Sequence, residues 1–310
     1  MDRFLQDVLT GLGSEFKTLP SKYFYDEKGS KIFQRIMALD EYYLPGCEVE
    51  ILNESSDLIL AEIPFDTIDI VELGSGDGSK TMIFLKQAIR KFNSLTYIPM
   101  DISPGILEVN KDLIHSQVPK LEIIPIAGDY LLTSSQLEKR DKPRLLLFMG
   151  SNIGNFPGDK AKGFMGFVNG MMKRGDYFMM GVDLRKNPHV IRAAYNDKDG
   201  VTRLFNLNLL ERINRELGGD FDLSEFEHFG TYNPVTGEAM SYLVSQKKQI
   251  VQIAGRLFQF DRYEAILTEV SRKFSIKELN SIGKETGFAT VRHFLDSKGY
   301  FSLSLFRKQD

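Results

Sequence analysis

The sequence predicts an α/β protein, a doubly wound, Rossmann-like sheet with a second lobe inserted into it. Three observations carry the prediction. From residue 67 to residue 183 short β-rich runs alternate with longer helical segments, the order βαβαβ that a parallel sheet with crossover helices requires. The first run leads directly into a glycine-rich turn and then a helix. The rhythm then breaks for residues 186–262 before strand-like runs resume, and that excursion is far longer than ordinary connections of about 4–6 residues.

Taken in order, the strand runs are 67–73, 96–101, 121–126, 144–149 and 176–183. Taken together they are rich in Ile, Val, Leu and Phe, as strands covered on both faces are. Segments 79–92 and 159–173 between them carry apolar residues at helical spacing. In the excursion, 201–217 reads as a long helix, and 240–244 and 248–253 read as strands. Strands at 265–274 and 301–306 with a helix at 275–287 return the chain to the sheet. The predicted core is therefore 61–185 with 263–310, and the lobe is 1–60 with 186–262.

With 42% hydrophobic and 26% charged residues, the chain has the composition of a globular protein with a sizeable core. Thirty-nine Lys and Arg against 42 Asp and Glu give no basic field, which argues against a nucleic-acid partner. Cys47 is the only cysteine, so an intrachain disulfide and a multi-cysteine zinc site are excluded. The four histidines, His115, His189, His228 and His293, have no metal-ligand spacing, and no metal is expected. The start, Met1-Asp2-Arg3-Phe4-Leu5-Gln6-Asp7, lacks the basic and apolar regions of a signal peptide, and no run approaches the roughly 20 apolar residues of a membrane span. A cytoplasmic protein with no membrane association and no obligate protein partner is expected.

The turn Val71-Glu72-Leu73-Gly74-Ser75-Gly76-Asp77-Gly78 narrows the ligand. A dinucleotide fingerprint G-x-G-x-x-G beginning at Gly74 and Gly76 needs glycine where this chain has Ser79, which disfavours a nicotinamide dehydrogenase. The pattern is acid-x-G-x-G-x-G, the form associated with S-adenosylmethionine. Asp101 ends the next strand, where an acid accepts from ribose hydroxyls. Asp129 and Tyr130 end the third, where an acid and an aromatic can bracket an adenine. Each acid could instead cap the helix that follows it. Glu269 and Ser271, two apart in the expected strand 265–274, emerge on one face with Thr268 and Val270 on the other. They suit a polar ring or, alternatively, a solvated strand face.

Beyond the turn, the sequence resembles the histidine-specific N-methyltransferases that form trimethylhistidine in ergothioneine biosynthesis, and it does so nearly end to end. The resemblance lies in Lys22-Tyr23-Phe24-Tyr25-Asp26, Glu41-Tyr42-Tyr43, the turn with Lys80, and Met149-Gly150-Ser151-Asn152-Ile153-Gly154-Asn155. It continues in Arg192-Ala193-Ala194-Tyr195-Asn196-Asp197, Phe205-Asn206, Asn214-Arg215-Glu216-Leu217, Asp220-Phe221-Asp222-Leu223 and Thr268-Glu269-Val270-Ser271-Arg272-Lys273-Phe274. The chain departs from the family at Leu44-Pro45-Gly46, Gly78 and Tyr130. The resemblance implies a class I methyltransferase sheet with a substrate-binding lobe, S-adenosyl-L-methionine as methyl donor and the α-amine of L-histidine as acceptor. It implies cofactor contacts from Tyr25, Gly74, Gly76, Lys80, Asp101, Asp129 and Tyr130. Asn155 and Tyr195 would position the substrate's amino and carboxylate groups, Tyr42 and Met240 would line its pocket, and Glu269 with Ser271 would bind the imidazole. A different amino acid or aromatic amine as acceptor, and a non-catalytic cofactor-binding module, are the alternatives the residues leave open.

Overall fold

The computed structural model describes residues 3–137, 140–156 and 158–309; Met1 and Asp2, which belong to the start compared above with a signal peptide, lie outside them. The chain begins with α1 (Arg3–Leu12), α2 (Glu27–Met37) and α3 (Leu44–Ala61). Next come β1 (Thr67–Leu73), α4 (Thr81–Lys91), β2 (Ser94–Asp101), α5 (Pro104–Gln117), β3 (Glu122–Ile123) and β4 (Ile126–Ala127). There follow α6 (Tyr130–Thr133), β5 (Arg144–Phe148), α7 (Lys160–Gly170), β6 (Tyr177–Asp183), α8 (Pro188–Ala194) and α9 (Val201–Leu217). The chain closes with β7 (Phe226–Asn233), β8 (Glu238–Ser245), β9 (Gln249–Ile253), β10 (Arg256–Phe260), β11 (Ala265–Arg272), α10 (Ile276–Glu285), β12 (Phe288–Leu295) and β13 (Phe301–Lys308).

Two compact units result, Leu44–Arg185 with Lys273–Asp310 and Met1–Tyr43 with Lys186–Arg272. In the first, the strand order is β12-β13-β6-β5-β1-β2-β3, with β4 also on β2. β1, β2, β3, β4, β5 and β6 pair in parallel, and β13 runs antiparallel between β6 and β12. Val71, Leu73, Ile98, Leu146, Phe148, Phe178 and Met180 form the core of one face with α7 and α10. The order turns back on itself at β1, so the carboxyl ends of β1, β2 and β5 are where a ligand binds in such a sheet. The expected single strand 121–126 is two short ones. Pro125 lies between them and has no N–H to give to β2.

The second unit holds a three-stranded antiparallel sheet, β11-β8-β7, and the hairpin β9-β10. α9 is buried along its length through Val201, Phe205, Leu209, Leu210 and Ile213. It packs with Leu243, Ile266, Phe226 and the apolar stripe Phe4, Val8 and Leu12 of α1. Its start is fixed by Asp197, whose buried carboxylate accepts from Val201 N at 2.8 Å and Thr202 N at 2.7 Å. Those bonds hold its pKa below the ordinary value against the opposing effect of burial. From the sequence, the acidic patches 197–199 and 220–227 read as a solvated face and helix caps; Asp197 is such a cap, and a buried one.

The boundaries expected at 60 and 263 fall at 43 and 272. α3 packs on α4 and β13 of the large sheet, because its buried stripe Leu44, Cys47, Ile51 and Leu52 needs an apolar partner. The strand expected at 265–274 pairs with β8 through Arg272, and only from Lys273 does the chain belong with the large sheet. The alternating burial of β11 shows it to be a strand with one covered face, unlike β1, which is buried at every position after Thr67.

Candidate active site

In the large-sheet unit the turn after β1 is held open by its own glycines. Gly74 and Gly76 have φ of +70° and +54°, and no atom lies within 4 Å of where a Cβ would stand on either. The backbone there is bare, and its left-handed conformation favours glycine. Gly76 N donates to Asp101 Oδ2 at 3.1 Å, Gly74 N donates to the Met100 carbonyl at 2.8 Å, and Asn110 Nδ2 donates to the Gly76 carbonyl at 3.1 Å. Asp101 also accepts from Ser103 N at 3.0 Å. A carboxylate offers about four lone-pair positions, so Asp101 retains capacity for ribose hydroxyls while it braces the turn. Ser103, not Asp101, caps α5.

Asp129 does cap α6, accepting from Leu131 N at 3.0 Å. Capping uses one of its oxygens and does not exclude a ligand on the other. Tyr130 packs edge-on to Phe148 and Phe164. Burial, then the charges of Asp129 and Asp101, push its phenol up to about 12, which brings these three residues into one electrostatic neighbourhood. Lys80 follows the turn and pairs with Glu48. Burial alone would lower its pKa, but Glu48 outweighs that and holds it above the ordinary lysine value. Asn155 is exposed, in a short 3-10 turn after β5.

Glu72, the acid of the motif, faces inward. It accepts from Tyr97 Oη at 2.5 Å and Thr81 Oγ1 at 2.7 Å, and it is only 2% exposed. Burial pushes its pKa up to about 7 despite those bonds and the charge of Lys80. The folded state therefore holds this proton over a pH range in which the unfolded chain has lost it. The stabilisation is complete below about pH 4.5 and is lost as pH rises through about 7. His228, in the other unit, acts with opposite sign. Its pKa is lowered to about 4, chiefly by burial, so its contribution is lost as pH falls from about 6.5 to about 4. Glu72→Gln is expected to remove a decline on the order of 3 kcal/mol between pH 5 and 8. Urea titrations of both proteins across that range check it, and a constant stability difference between them would rule the titration out.

In the other unit Tyr195, Ser271, Glu269, Tyr25 and Tyr42 come together. β7, β8 and β11 are in register with Gly230 opposite Ser241 and Ser241 opposite Glu269; two residues along, Tyr232 lies opposite Ala239 and Ala239 opposite Ser271. Tyr195 Oη donates to Ser271 Oγ at 2.8 Å, and Ser241 Oγ donates to Glu269 Oε2 at 3.3 Å. Tyr42 stands edge-on to Tyr195 at 6.3 Å between ring centres and to Phe33 at 6.2 Å, and Phe33 stands edge-on to Tyr25 at 5.3 Å. Tyr25 is half-exposed as a residue, but desolvation of its hydroxyl, then the charges of Glu269 and Tyr195, push its pKa above the ordinary value. Tyr25, expected at the cofactor, thus lies in the unit that carries the acceptor residues.

Two details differ from the expectation. A bulge between Leu267 and Glu269 shifts the alternation by one and brings Glu269 and Ser271 onto the face of Ile266 and Thr268, whose hydroxyl reaches Asn206 Oδ1 on α9 at 2.6 Å, so Thr268 is not on the face away from them. Met240 alternates with Ser241 along β8 and shares its face with Tyr242, whose hydroxyl meets the Met240 sulfur at 3.2 Å. The structure therefore does not bring Met240 to the side of Ser241 and Ala239. Glu48, Asn110, Phe33 and Gly230 take part here without having been expected from the sequence. Glu48 left a trace, since a carboxylate occupies a position of the buried stripe of α3. No helix among the described residues is long and apolar enough to cross a membrane.

Known proteins resemble the chain over nearly its whole length. The profile of the histidine-specific, S-adenosylmethionine-dependent methyltransferases matches residues 4–308. A histidine N-alpha-methyltransferase of Mycobacterium tuberculosis is 36% identical over 98% of this chain and 94% of its own length. Ergothioneine biosynthesis protein 1 of Schizosaccharomyces pombe is 27% identical over 94% of this chain and 39% of its own length. An L-tryptophan methyltransferase of Psilocybe serbica is 28% identical over 96% of this chain and 90% of its own. With the profile spanning nearly the whole sequence, the chain belongs to the histidine-specific, S-adenosylmethionine-dependent methyltransferase family.

Proposed function

We propose that the protein transfers methyl groups from S-adenosylmethionine to the α-amine of L-histidine, three in turn, giving the trimethyl betaine hercynine. The observation that carries the acceptor is the grouping of Glu269, Ser271 and Tyr195. A neutral imidazole presents one N–H donor and one nitrogen acceptor. A carboxylate accepts and a hydroxyl donates, and the two stand two residues apart on one strand. An apolar ring such as an indole body would leave Glu269 facing a surface that cannot satisfy it, which costs several kcal/mol.

The cofactor supplies an electrophilic methyl on a sulfonium. Gly74 and Gly76 offer it a bare backbone, Asp101 a ribose acceptor, and Asp129 with Tyr130 the adenine end. The protein's task is then positioning, which supplies roughly 7–11 kcal/mol of a bimolecular barrier. Asn155 and Tyr195 are proposed to orient the amino and carboxylate groups. The first transfer needs an amine without its proton, and an α-amine pKa of about 8 makes that a modest demand near neutrality. The ring faces of Tyr25 and Tyr42 are suited to attract the quaternary ammonium as it forms.

Mass spectrometry of the products from isotopically labelled cofactor and histidine tests the reading, with mono-, di- and trimethylated histidine expected on the α-nitrogen. Glu269→Ala is expected to raise KM for histidine about 10- to 100-fold, the worth of a charged hydrogen bond. Titration with S-adenosylhomocysteine should remain unchanged. Unaltered histidine kinetics would remove Glu269 from the imidazole role.

A further inference from the structure

Glu48 sits where the helix pattern asks for an apolar residue. It lies on α3 among Leu44, Cys47, Ile51 and Leu52 and is itself 1% exposed. A carboxylate at that depth requires partners. Both that it has here belong to turns at the carboxyl ends of the central strands: Lys80 Nζ donates to Oε2, and Gly150 N donates to Oε1 at 2.8 Å. Room for the carboxylate comes from Gly181 on β6, where a Cβ would collide with Glu48 Oε1 and stand 3.2 Å from Gly150 N.

The turn after β5 is unusual in itself. Gly150 and Ser151 are both left-handed, with φ of +75° and +60°, and the second is an uncommon conformation for a residue with a side chain. Glu48 holds this turn at the Gly150 amide, and Asp183 N holds it from the other side by donating to Ser151 Oγ at 2.9 Å. One carboxylate therefore ties the turn after β1 to the turn after β5. Stability alone gives little reason for charge here, since a buried ion pair is about as stable as, or less stable than, well-packed apolar residues in its place.

We propose that Glu48 is a positioning residue for the methyl donor, fixing Lys80 and the 149–151 turn in the geometry that receives the cofactor's amino-acid end. The inference rests on Lys80 being a cofactor contact. Lys80 keeps a third of its side chain exposed. An ammonium has three donors on a flexible stem, so anchoring one of them to Glu48 aims the rest and removes the rotamer entropy that binding would otherwise cost.

The test is calorimetric titration of S-adenosylhomocysteine into the wild type, Glu48→Gln, Lys80→Met and the double variant, with circular dichroism to confirm folding. Glu48→Gln is expected to weaken binding at least 10-fold. The double variant should lose less binding than the two single losses combined, because once the lysine is gone only the hold on the 149–151 turn remains for Glu48 to give up. If Glu48→Gln does not fold, Glu48→Asp, which keeps the charge and shortens the reach, should show an intermediate loss. Folded Glu48→Gln binding within twofold of the wild type, or losses that add in the double variant, overturn the positioning role. Unchanged binding by Lys80→Met overturns instead the assignment of Lys80 to the cofactor.

Discussion

Gly230→Ala is expected to lower kcat/KM for the amino acid about 100-fold and to leave S-adenosylhomocysteine binding as it was, because a misplacement of about 1 Å in a positioning group is enough for such a loss. Gly230 lies on β7 under the backbone of Tyr195. A Cβ there would run into the Tyr195 carbonyl oxygen and stand 2.9 Å from Asn196 Cβ and 3.1 Å from the Tyr195 carbonyl carbon. Backbone cannot step aside as a flexible side chain can. Tyr195 is also restrained on both sides, by the end of α8 before it and by the Asp197 cap of α9 just after it. Its hydroxyl reaches from the Gly230 edge of the three-stranded sheet to Ser271 on β11. Lifting its backbone therefore draws the hydroxyl off Ser271 or tilts the ring against Tyr42. Steady-state kinetics in histidine at saturating cofactor check this, and wild-type kinetics in a folded Gly230→Ala protein would refute the coupling.

That Gly230 matters could not be read from the chain, and the reason is general for this molecule. Local signals were legible where a residue's role depends on its neighbours in sequence. The turn at 71–78 declared itself by spacing, the parallel strands by continuous apolar runs, and α9 by helical periodicity that matches Val201–Leu217 at both ends. Glu269 and Ser271 were legible as a pair because a strand's alternation puts them on one side. What escaped is set by contacts distant in sequence. Gly230 meets Tyr195, Glu48 meets Lys80 and Gly150, and Asn110 meets Gly76. The unit boundary escaped for a related reason. The run 265–274 is uniformly strand-forming, and only its antiparallel partner β8 shows that its first eight residues leave the large sheet. Met240 was assigned from its motif alone, and the alternation of β8 places it with Tyr242.

The boundary residue itself carries the largest expected effect on stability. Lys273 and Asp183 form an ion pair at 2.9 Å with both side chains 0% exposed. Asp183 closes β6, and around the pair the returning chain is stitched to that strand: Phe274 N donates to the Asp183 carbonyl at 3.0 Å, and Arg185 N donates to the Phe274 carbonyl at 2.9 Å. Lys273→Met keeps most of the side chain's volume and removes its charge, so Asp183 is left buried without the ammonium that offsets its desolvation. Breaking a buried pair in this way costs about 3–5 kcal/mol, whereas removing both charges together costs far less. Lys273→Met is therefore expected to lose about that much in urea unfolding, and Lys273→Met with Asp183→Asn to recover part of it. Because Asp183 N also holds Ser151 Oγ, the loosening should reach the turn after β5 and weaken S-adenosylhomocysteine binding in the single variant. A Lys273→Met protein within 1 kcal/mol of the wild type would mean that Asp183 is stabilised by its other surroundings and that the lysine is dispensable for seating the chain on the sheet.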